Sequence, residues 1–363
     1  MKLKKISVAL GTASYDILIG SQMLASLGRE LRQRSLSKQV AVVTHPLVDR
    51  LYGRVVRKSL KEAHFETVMI PLPSGEKYKT LRQIERIYDA LISHRFERGS
   101  LLMALGGGVV GDMTGFAAAT FLRGVSYIHV PTTLVAQVDA SIGGKTGVDH
   151  SKGKNLIGSF HQPRMVFIDP ATLSTLPRRE FVAGIAEVVK YGVILGPAFF
   201  KYLESHVLSI LALDADVLSS CIGRSASMKA RVVAADEKES GLRRILNYGH
   251  TIGHAIETLT SYKRYKHGEA VSIGMSAAAR LSNFLGLLPK EEVLRQENLL
   301  KRFGLPTKLP KLAPERILDR ILQDKKVNAG EVFFVLPEKI GAVRVDRVSK
   351  KDIKAFLKSD MRC

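Results

Sequence analysis

Asn247-Tyr248-Gly249-His250-Thr251-Ile252-Gly253-His254 sets two histidines at i, i+4, so on a helix both imidazoles lie on one face about a turn apart. A third follows in His267-Gly268-Glu269, and Glu187-Val188-Val189-Lys190 precedes them with an acid and a base. Imidazole plus carboxylate suits a catalytic zinc or similar divalent ion that keeps one position open for substrate. As a surface i, i+3 pair, Glu187 and Lys190 would contribute only a few tenths of a kcal/mol. Their setting, Gly184-Ile185-Ala186 before and Tyr191-Gly192 after, is too apolar for a solvated face and asks for a metal or substrate partner. Upstream, Gly106-Gly107-Gly108-Val109-Val110-Gly111-Asp112 follows a strand signal, opens a helix and matches G-x-G-x-x-G. Such glycines let backbone approach a pyrophosphate while amides at the helix start donate to it. The match departs from an ordinary dinucleotide fingerprint, because several strands come before it and no acid lies about 20 residues on. Ser141-Ile142-Gly143-Gly144-Lys145-Thr146-Gly147 and Lys152-Gly153-Lys154-Asn155 place lysines in glycine-rich loops, where they are either phosphate cradles or solvated surface. Asp139 is an acid, a hydroxyl acceptor or a helix cap. A metal site and a dinucleotide turn in one chain point to redox chemistry on an alcohol.

The elements that must position these groups alternate in the first half. Val40-Ala41-Val42-Val43-Thr44 is a continuous apolar run ending at His45-Pro46, as a buried parallel strand requires. A helix over 55–63, a strand at Thr67–Ile70 and a helix over 81–93 follow. Strands are then expected at Ser100–Leu105, Val125–Val130 and Met165–Asp169, and the basic start of the chain reads as a first strand. Strand–helix alternation implies a mostly parallel, Rossmann-like α/β sheet covered by helices. After Leu176-Pro177 helical periodicity dominates, over 180–191, 215–236, 250–260, 269–284 and 290–303, with one strand-like piece at Val332–Leu336. The expected organisation is an α/β domain over 1–176 that carries the glycine turn and an all-helical C-terminal domain over 177–363 that carries the histidines.

The chain has 363 residues, enough for two cores. No apolar run approaches the ~20 residues of a membrane helix, and the apolar run behind the basic start is too short for a signal peptide. Two cysteines, Cys221 and Cys363, argue against a disulfide framework and for a reducing compartment, most simply the cytoplasm. The formal charge of +21 is spread along the chain without a basic tract, and tryptophan is absent. That pattern lacks the stacking platform of a nucleic-acid binder and fits either a plain basic surface or attraction of an anionic, phosphorylated substrate.

Taken together these segments closely resemble the 3-dehydroquinate synthase family of sugar phosphate cyclases. The matching strings are Ser74-Gly75-Glu76-Lys77-Tyr78-Lys79, Gly106 to Asp112, Pro131-Thr132-Thr133-Leu134, Gln137 to Lys145, Gly153-Lys154-Asn155, Ala186 to Lys190, and Leu242-Arg243 through His254-Ala255-Ile256-Glu257. The resemblance implies an NAD-binding α/β domain, a helical metal domain and an active site in the cleft between them. It further implies conversion of 3-deoxy-D-arabino-heptulosonate 7-phosphate to 3-dehydroquinate and phosphate in the shikimate route to aromatic amino acids. The steps are transient oxidation by NAD, phosphate β-elimination, reduction and intramolecular aldol closure.

Carried over by resemblance, Glu187, His250 and His267 are the zinc ligands, with cobalt as a substitute ion. His254 is instead a phosphate contact, which replaces the simple i, i+4 pairing. Lys145, Asn155, Asn247 and one lysine of Asp324-Lys325-Lys326, taken as Lys325, also hold phosphate, joined by Arg123 from a partner subunit in a homodimer. Arg243 and Lys229 hold the substrate carboxylate, and Asp139 and Lys190 contact ring hydroxyls. The cofactor set comprises Ser74, Gly75, Glu76, Lys77, Tyr78, Lys79, Gly107, Gly108, Val109, Val110, Gly111, Asp112, Thr132, Thr133, Lys145, Lys154, Thr172, Leu173, Ser174 and Thr175. One departure stands out: His45 takes the place where family members often carry an acid for the adenosine ribose. Rival readings are a cyclase acting on a hexose or heptose phosphate without a carboxylate, a metal-dependent polyol dehydrogenase, and a basic nucleic-acid binder. No nucleic-acid or membrane partner is expected.

Overall fold

The computed structural model describes residues 3–323, 327–328 and 331–361, so Lys325, Lys326 and Cys363 lie outside the described residues. The chain divides into two compact units, one of Met1–Leu176 with Leu218–Lys238, the other of Pro177–Val217 with Glu239–Cys363.

The first unit is built on a seven-stranded sheet. In chain order its strands are β1 (Lys4–Val8), β2 (Tyr15–Ile19), β3 (Gln39–Thr44), β4 (Glu66–Pro71), β5 (Leu101–Gly106) and β6 (Ser126–Pro131). An antiparallel hairpin of β7 (Lys145–His150) and β8 (Gly153–Phe160) comes next, and β9 (Met165–Ile168) returns to the sheet. The spatial order is β1-β2-β9-β6-β5-β3-β4, parallel throughout except for the β1/β2 edge.

Side chains alternate faces along a strand, and here both faces are covered. Ala41, Val43, Leu102 and Ala104 pack on one side with Ile84, Ile87 and Leu91 of the Leu81–Ser93 helix. Val40, Val42, Leu101, Met103 and Leu105 pack on the other with Leu27, Leu31, Val56 and Leu60. Continuous β-branched and leucine runs are what such a doubly covered strand demands, which is why β3 and β5 are evident from sequence.

The hairpin is a correction for Lys145 and Lys154, expected in loops and found on β7 and β8, while Lys152 lies in the turn between them. Gly147 and Gly158 face each other across it, where an added Cβ would come within 2.5 Å of the Ile157 carbonyl oxygen or 2.2 Å of that of Thr146. Their close approach makes the pairing possible, while glycine and exposed lysine carry no strand pattern.

The second unit is mainly helical, with Arg178–Leu195, His250–Leu259, His267–Phe284, Lys290–Arg302, Pro314–Leu322 and Lys350–Asp360 among its helices. The expected all-helical domain is corrected by an antiparallel sheet of β10 (Val327–Asn328), β11 (Glu331–Lys339) and β12 (Ala342–Ser349). Val332, Phe334 and Leu336 of β11 enter one core with Ile256, Ile273, Ile317 and Phe356. β12 reads as polar because most of its residues are only half-buried. The helix Ala215–Ala235 was assigned by sequence to the second domain, yet from Leu218 onward the chain groups with the α/β unit. Lys229 on that helix donates to the Asp139 carbonyl oxygen at 2.7 Å and to Asp139 Oδ1 at 2.9 Å. No described helix is long and apolar enough to cross a membrane.

Candidate functional site

In the helical unit, glycine contacts set the positions of the metal-ligating candidates. Gly268 lets the His267–Phe284 helix start against Ala183, whose carbonyl oxygen a Cβ would approach to 1.8 Å, one turn before Glu187. Gly249, at φ 80°, turns the chain into the His250–Leu259 helix, and Gly274 packs so that a Cβ would meet the Gly249 carbonyl oxygen at 1.9 Å. A positive φ of this size is a glycine conformation. Three helices therefore bring Glu187, His250 and His267 together, with donor atoms within 4.8 Å of one another. Glu187 Oε1 is 3.5 Å from Nε2 of each histidine.

The far nitrogens are occupied as well. His250 Nδ1 lies 3.0 Å from the Tyr248 carbonyl oxygen, and His267 Nδ1 lies 3.2 Å from Glu257 Oε2. Carbonyl and carboxylate oxygens only accept, so both Nδ1 atoms carry hydrogen and both Nε2 atoms face the carboxylate. Burial pushes His250 down to about 3 against the opposing pull of Glu187, which keeps its imidazole neutral and its lone pair available. Burial also works against charge on His267, but the bonds to Glu187 and Glu257 outweigh it and push that group up to about 10. One carboxylate and two inward-facing imidazole nitrogens, that of His267 once its Nε2 proton is displaced, form a donor set that fits zinc or cobalt. His254, Glu257 and His267 make a second group with donor atoms within 4.8 Å.

Lys190 Nζ is 2.5 Å from Glu187 Oε2, and both side chains are 1% exposed. The pair is therefore no surface i, i+3 contact. Arg243, at the start of the Leu242–Asn247 turn, is 2% exposed. Asn247 donates through Nδ2 to Glu239 Oε1 at 2.5 Å, in the same segment.

In the α/β unit, the expected cofactor segments follow the carboxyl ends of parallel strands: Ser74–Lys79 after β4, Gly107–Asp112 after β5, Thr132-Thr133 after β6 and Thr172–Thr175 after β9. Open α/β sheets bind ligands at that edge, where strand order reverses. The reversal lies between β3 and β5. Gly106 and Pro131 are register partners, and Thr132 N–H donates to the Gly106 carbonyl at 2.9 Å. The glycine turn is tightly confined: a Cβ at Gly107 would meet Thr133 Cγ2 at 3.0 Å, and one at Gly111 would meet His129 Cε1 at 2.8 Å. Val109 and Val110 lie in the first turn of the Gly108–Thr120 helix, packed with the core. Leu173 is buried, and Tyr52 bonds the Thr172 carbonyl at 2.9 Å and the Thr175 hydroxyl.

Lys79 Nζ donates at 2.5 Å both to Asp112 Oδ2 and to Asn155 Oδ1, which joins an expected phosphate contact to two expected cofactor residues. Burial opposes the charge on Lys79, but Asp112 and Glu76 outweigh it and raise its pKa. Lys154 pairs with Glu76 at 3.3 Å. Lys145 is exposed at the start of β7, and Arg123 is exposed at φ 66° beyond the Gly108–Thr120 helix. The burial of His45 lowers its pKa, so the imidazole standing after β3 is neutral.

The chain matches the family model for the 3-dehydroquinate synthase N-terminal region over residues 69–183 and that for the C-terminal region over 184–327. It is 50% identical over 357 residues to the 3-dehydroquinate synthase of Thermodesulfovibrio yellowstonii, covering 98% of this chain and 99% of that one. The chain belongs to the 3-dehydroquinate synthase family. Among solved structures it resembles 2-epi-5-epi-valiolone synthase of Streptomyces hygroscopicus subsp. jinggangensis, bound to NAD+ and Zn2+, at 28% identity and TM-score 0.89 over 98% of both chains. It also resembles 2-deoxy-scyllo-inosose synthase complexed with carbaglucose-6-phosphate, NAD+ and Co2+, at 28% identity and TM-score 0.90 over 99% of this chain and 100% of that one.

Sequence reasoning missed the groups that face the Nδ1 atoms. The Tyr248 carbonyl carries no side-chain signal. Glu257 does: it is seven residues after His250 and three after His254 on one helix, hence on their face. Glu239, the partner of Asn247, lay in a stretch without periodicity.

Proposed function

We propose that this protein converts 3-deoxy-D-arabino-heptulosonate 7-phosphate to 3-dehydroquinate and phosphate, with NAD and zinc (or cobalt) as cofactors. The observation that carries the substrate is the contrast in identity, 50% to a 3-dehydroquinate synthase over nearly the whole chain against 28% to cyclases of other products. The substrate's carboxylate gives Arg243 a role that a sugar phosphate without a carboxylate would not.

Glu187, His250 and His267 hold the metal, and the cofactor segments at the carboxyl edge of the sheet hold NAD. When bound, the metal lowers the pKa of a coordinated hydroxyl, while NAD takes a hydride from substrate carbon and later returns it. Lys190 places a cation beside Glu187, where a substrate hydroxyl losing its proton develops negative charge. Arg243 offers a planar fork to the carboxylate. Lys229 acts with Asp139, whose carbonyl and carboxylate fix its ammonium. Lys145, Asn155, Asn247, His254 and Lys325 neutralise and orient the phosphate, and Arg123 reaches it from the second subunit of a homodimer. Most later chemistry is intramolecular, so holding one substrate conformer is a large part of the task. We place the protein in the cytoplasm.

The test supplies that substrate with NAD far below its concentration and assays phosphate and dehydroquinate. Many turnovers per NAD, without NADH accumulating, are expected. Product formation that stops at one equivalent of NAD would overturn the redox-neutral reading and favour a dehydrogenase.

A further inference from the structure

Resting on the metal reading above, we propose that Glu257 is the positioning residue of the metal centre: it holds His267 through Nδ1 so that Nε2 faces the ion. Glu257 is 4% exposed, and a carboxylate at that depth needs a partner that offers hydrogen or charge. The helix His250–Leu259 aims it at His267, with Oε2 3.2 Å from Nδ1. His267 opens its own helix, after the segment 260–266, and its ring makes a second polar contact through Nε2, 3.5 Å from Glu187 Oε1. The imidazole is thus fixed at both nitrogens by carboxylates from two different helices. Among the described residues only Glu187 shares a donor group with both His250 and His267, whereas Glu257 meets the other nitrogen of the His267 ring. Such an outer carboxylate selects the tautomer, stops the ring from rotating and increases the basicity of the ligating nitrogen.

His250 needs no such residue, because the Tyr248 carbonyl does the same work from the backbone. The asymmetry makes the proposal specific: of the two histidine ligands, one is held at Nδ1 by main chain and cannot be mutated loose there, and the other is held at Nδ1 by a side chain.

The test measures zinc affinity of metal-stripped protein by chelator competition, and the absorption spectrum of the cobalt-loaded protein. Wild type is compared with Glu257→Ala, Glu257→Gln and, as a control, His250→Ala. Glu257→Ala is expected to weaken zinc binding about 10–100-fold. Glu257→Gln keeps an acceptor without the charge and should fall between, and both should shift the cobalt bands that report ligand orientation. Circular dichroism establishes whether each variant is folded. If the alanine variant is unfolded, the glutamine variant decides: weaker binding with shifted bands supports the role, and wild-type affinity with wild-type bands overturns it. If His250→Ala binds zinc as tightly as wild type, the metal reading itself fails. If only His250→Ala loses zinc, that reading stands and the role of Glu257 falls.

Discussion

His250 and His254 sit one turn apart on the same helix, yet their surroundings differ. His250 has one nitrogen on the Tyr248 carbonyl and the other 3.5 Å from Glu187 Oε1. His254 groups with Glu257 and His267 instead, with its ring centroid 5.3 Å from that of His250. Replacing His250 or Glu187 by alanine should abolish both zinc content and activity. On the proposed assignment of His254 to the phosphate, His254→Ala should retain one zinc per chain and still lose activity. Elemental analysis of the purified variants decides this, and an empty His254 variant would return His254 to the ligand set. For the sugar acid's carboxylate, Arg243→Lys should lower kcat/KM by more than tenfold, since one ammonium cannot replace a two-pronged guanidinium. Steady-state kinetics check it, and an unchanged kcat/KM would remove the carboxylate role.

Among the helices, the crossing at Gly268 is the most sensitive point, because a methyl group there would lie 1.8 Å from the Ala183 carbonyl oxygen. Overpacking of this kind costs about 1–3 kcal/mol, and a backbone oxygen cannot swing aside as a side chain can. Gly268→Ala should therefore lower the melting temperature by several degrees and weaken metal binding, because the helix that carries His267 must back away from Glu187. Calorimetry with and without zinc measures both effects, and a variant with wild-type metal affinity would show that this contact does not set the ligand distance. The same scale explains what the sequence disclosed. The parallel strands and amphipathic helices announce themselves through runs and periods, as in Val40–Val43 and Ile84–Leu91. The residues alone pointed to the i, i+4 pair His250 and His254, and the set Glu187, His250 and His267 came from the family resemblance, whereas the glycine turn announced itself as the strands did. The β7/β8 hairpin, β12 and the grouping of 218–238 with the first unit did not, because each depends on contacts between residues distant in sequence. The roles of Glu257 and the Tyr248 carbonyl depend on tertiary distance in the same way.

For the whole molecule, the net charge of +21 is expected either to be a plain basic surface or to attract the phosphorylated, carboxylated substrate, and ionic strength separates the two. Raising ionic strength from low values should reduce kcat/KM more than kcat, since screening weakens encounter. A salt-independent kcat/KM would leave the charge without that role. Sharing of active sites in the proposed homodimer has its own test. Arg123→Ala and His254→Ala protomers are each expected to be inactive, but mixing them should restore part of the activity, because one site of the mixed dimer has both groups. No recovery after verified subunit exchange would confine Arg123 to its own chain. One further consequence concerns synthesis. The α/β unit is discontinuous, interrupted by Pro177–Val217 and completed only by Leu218–Lys238, whose Lys229 is tied to Asp139. On a translating ribosome this unit must wait, unfinished, while the chain runs from Leu176 to Lys238, roughly 3–12 s at about 5–20 residues per second. Nascent chains arrested with residue 176 just outside the exit tunnel should be cut readily by protease, and those arrested beyond 238 should resist. The last helix of the first unit thus acts as a clasp that closes late, and the cell's chaperones have that interval in which to meet the open sheet.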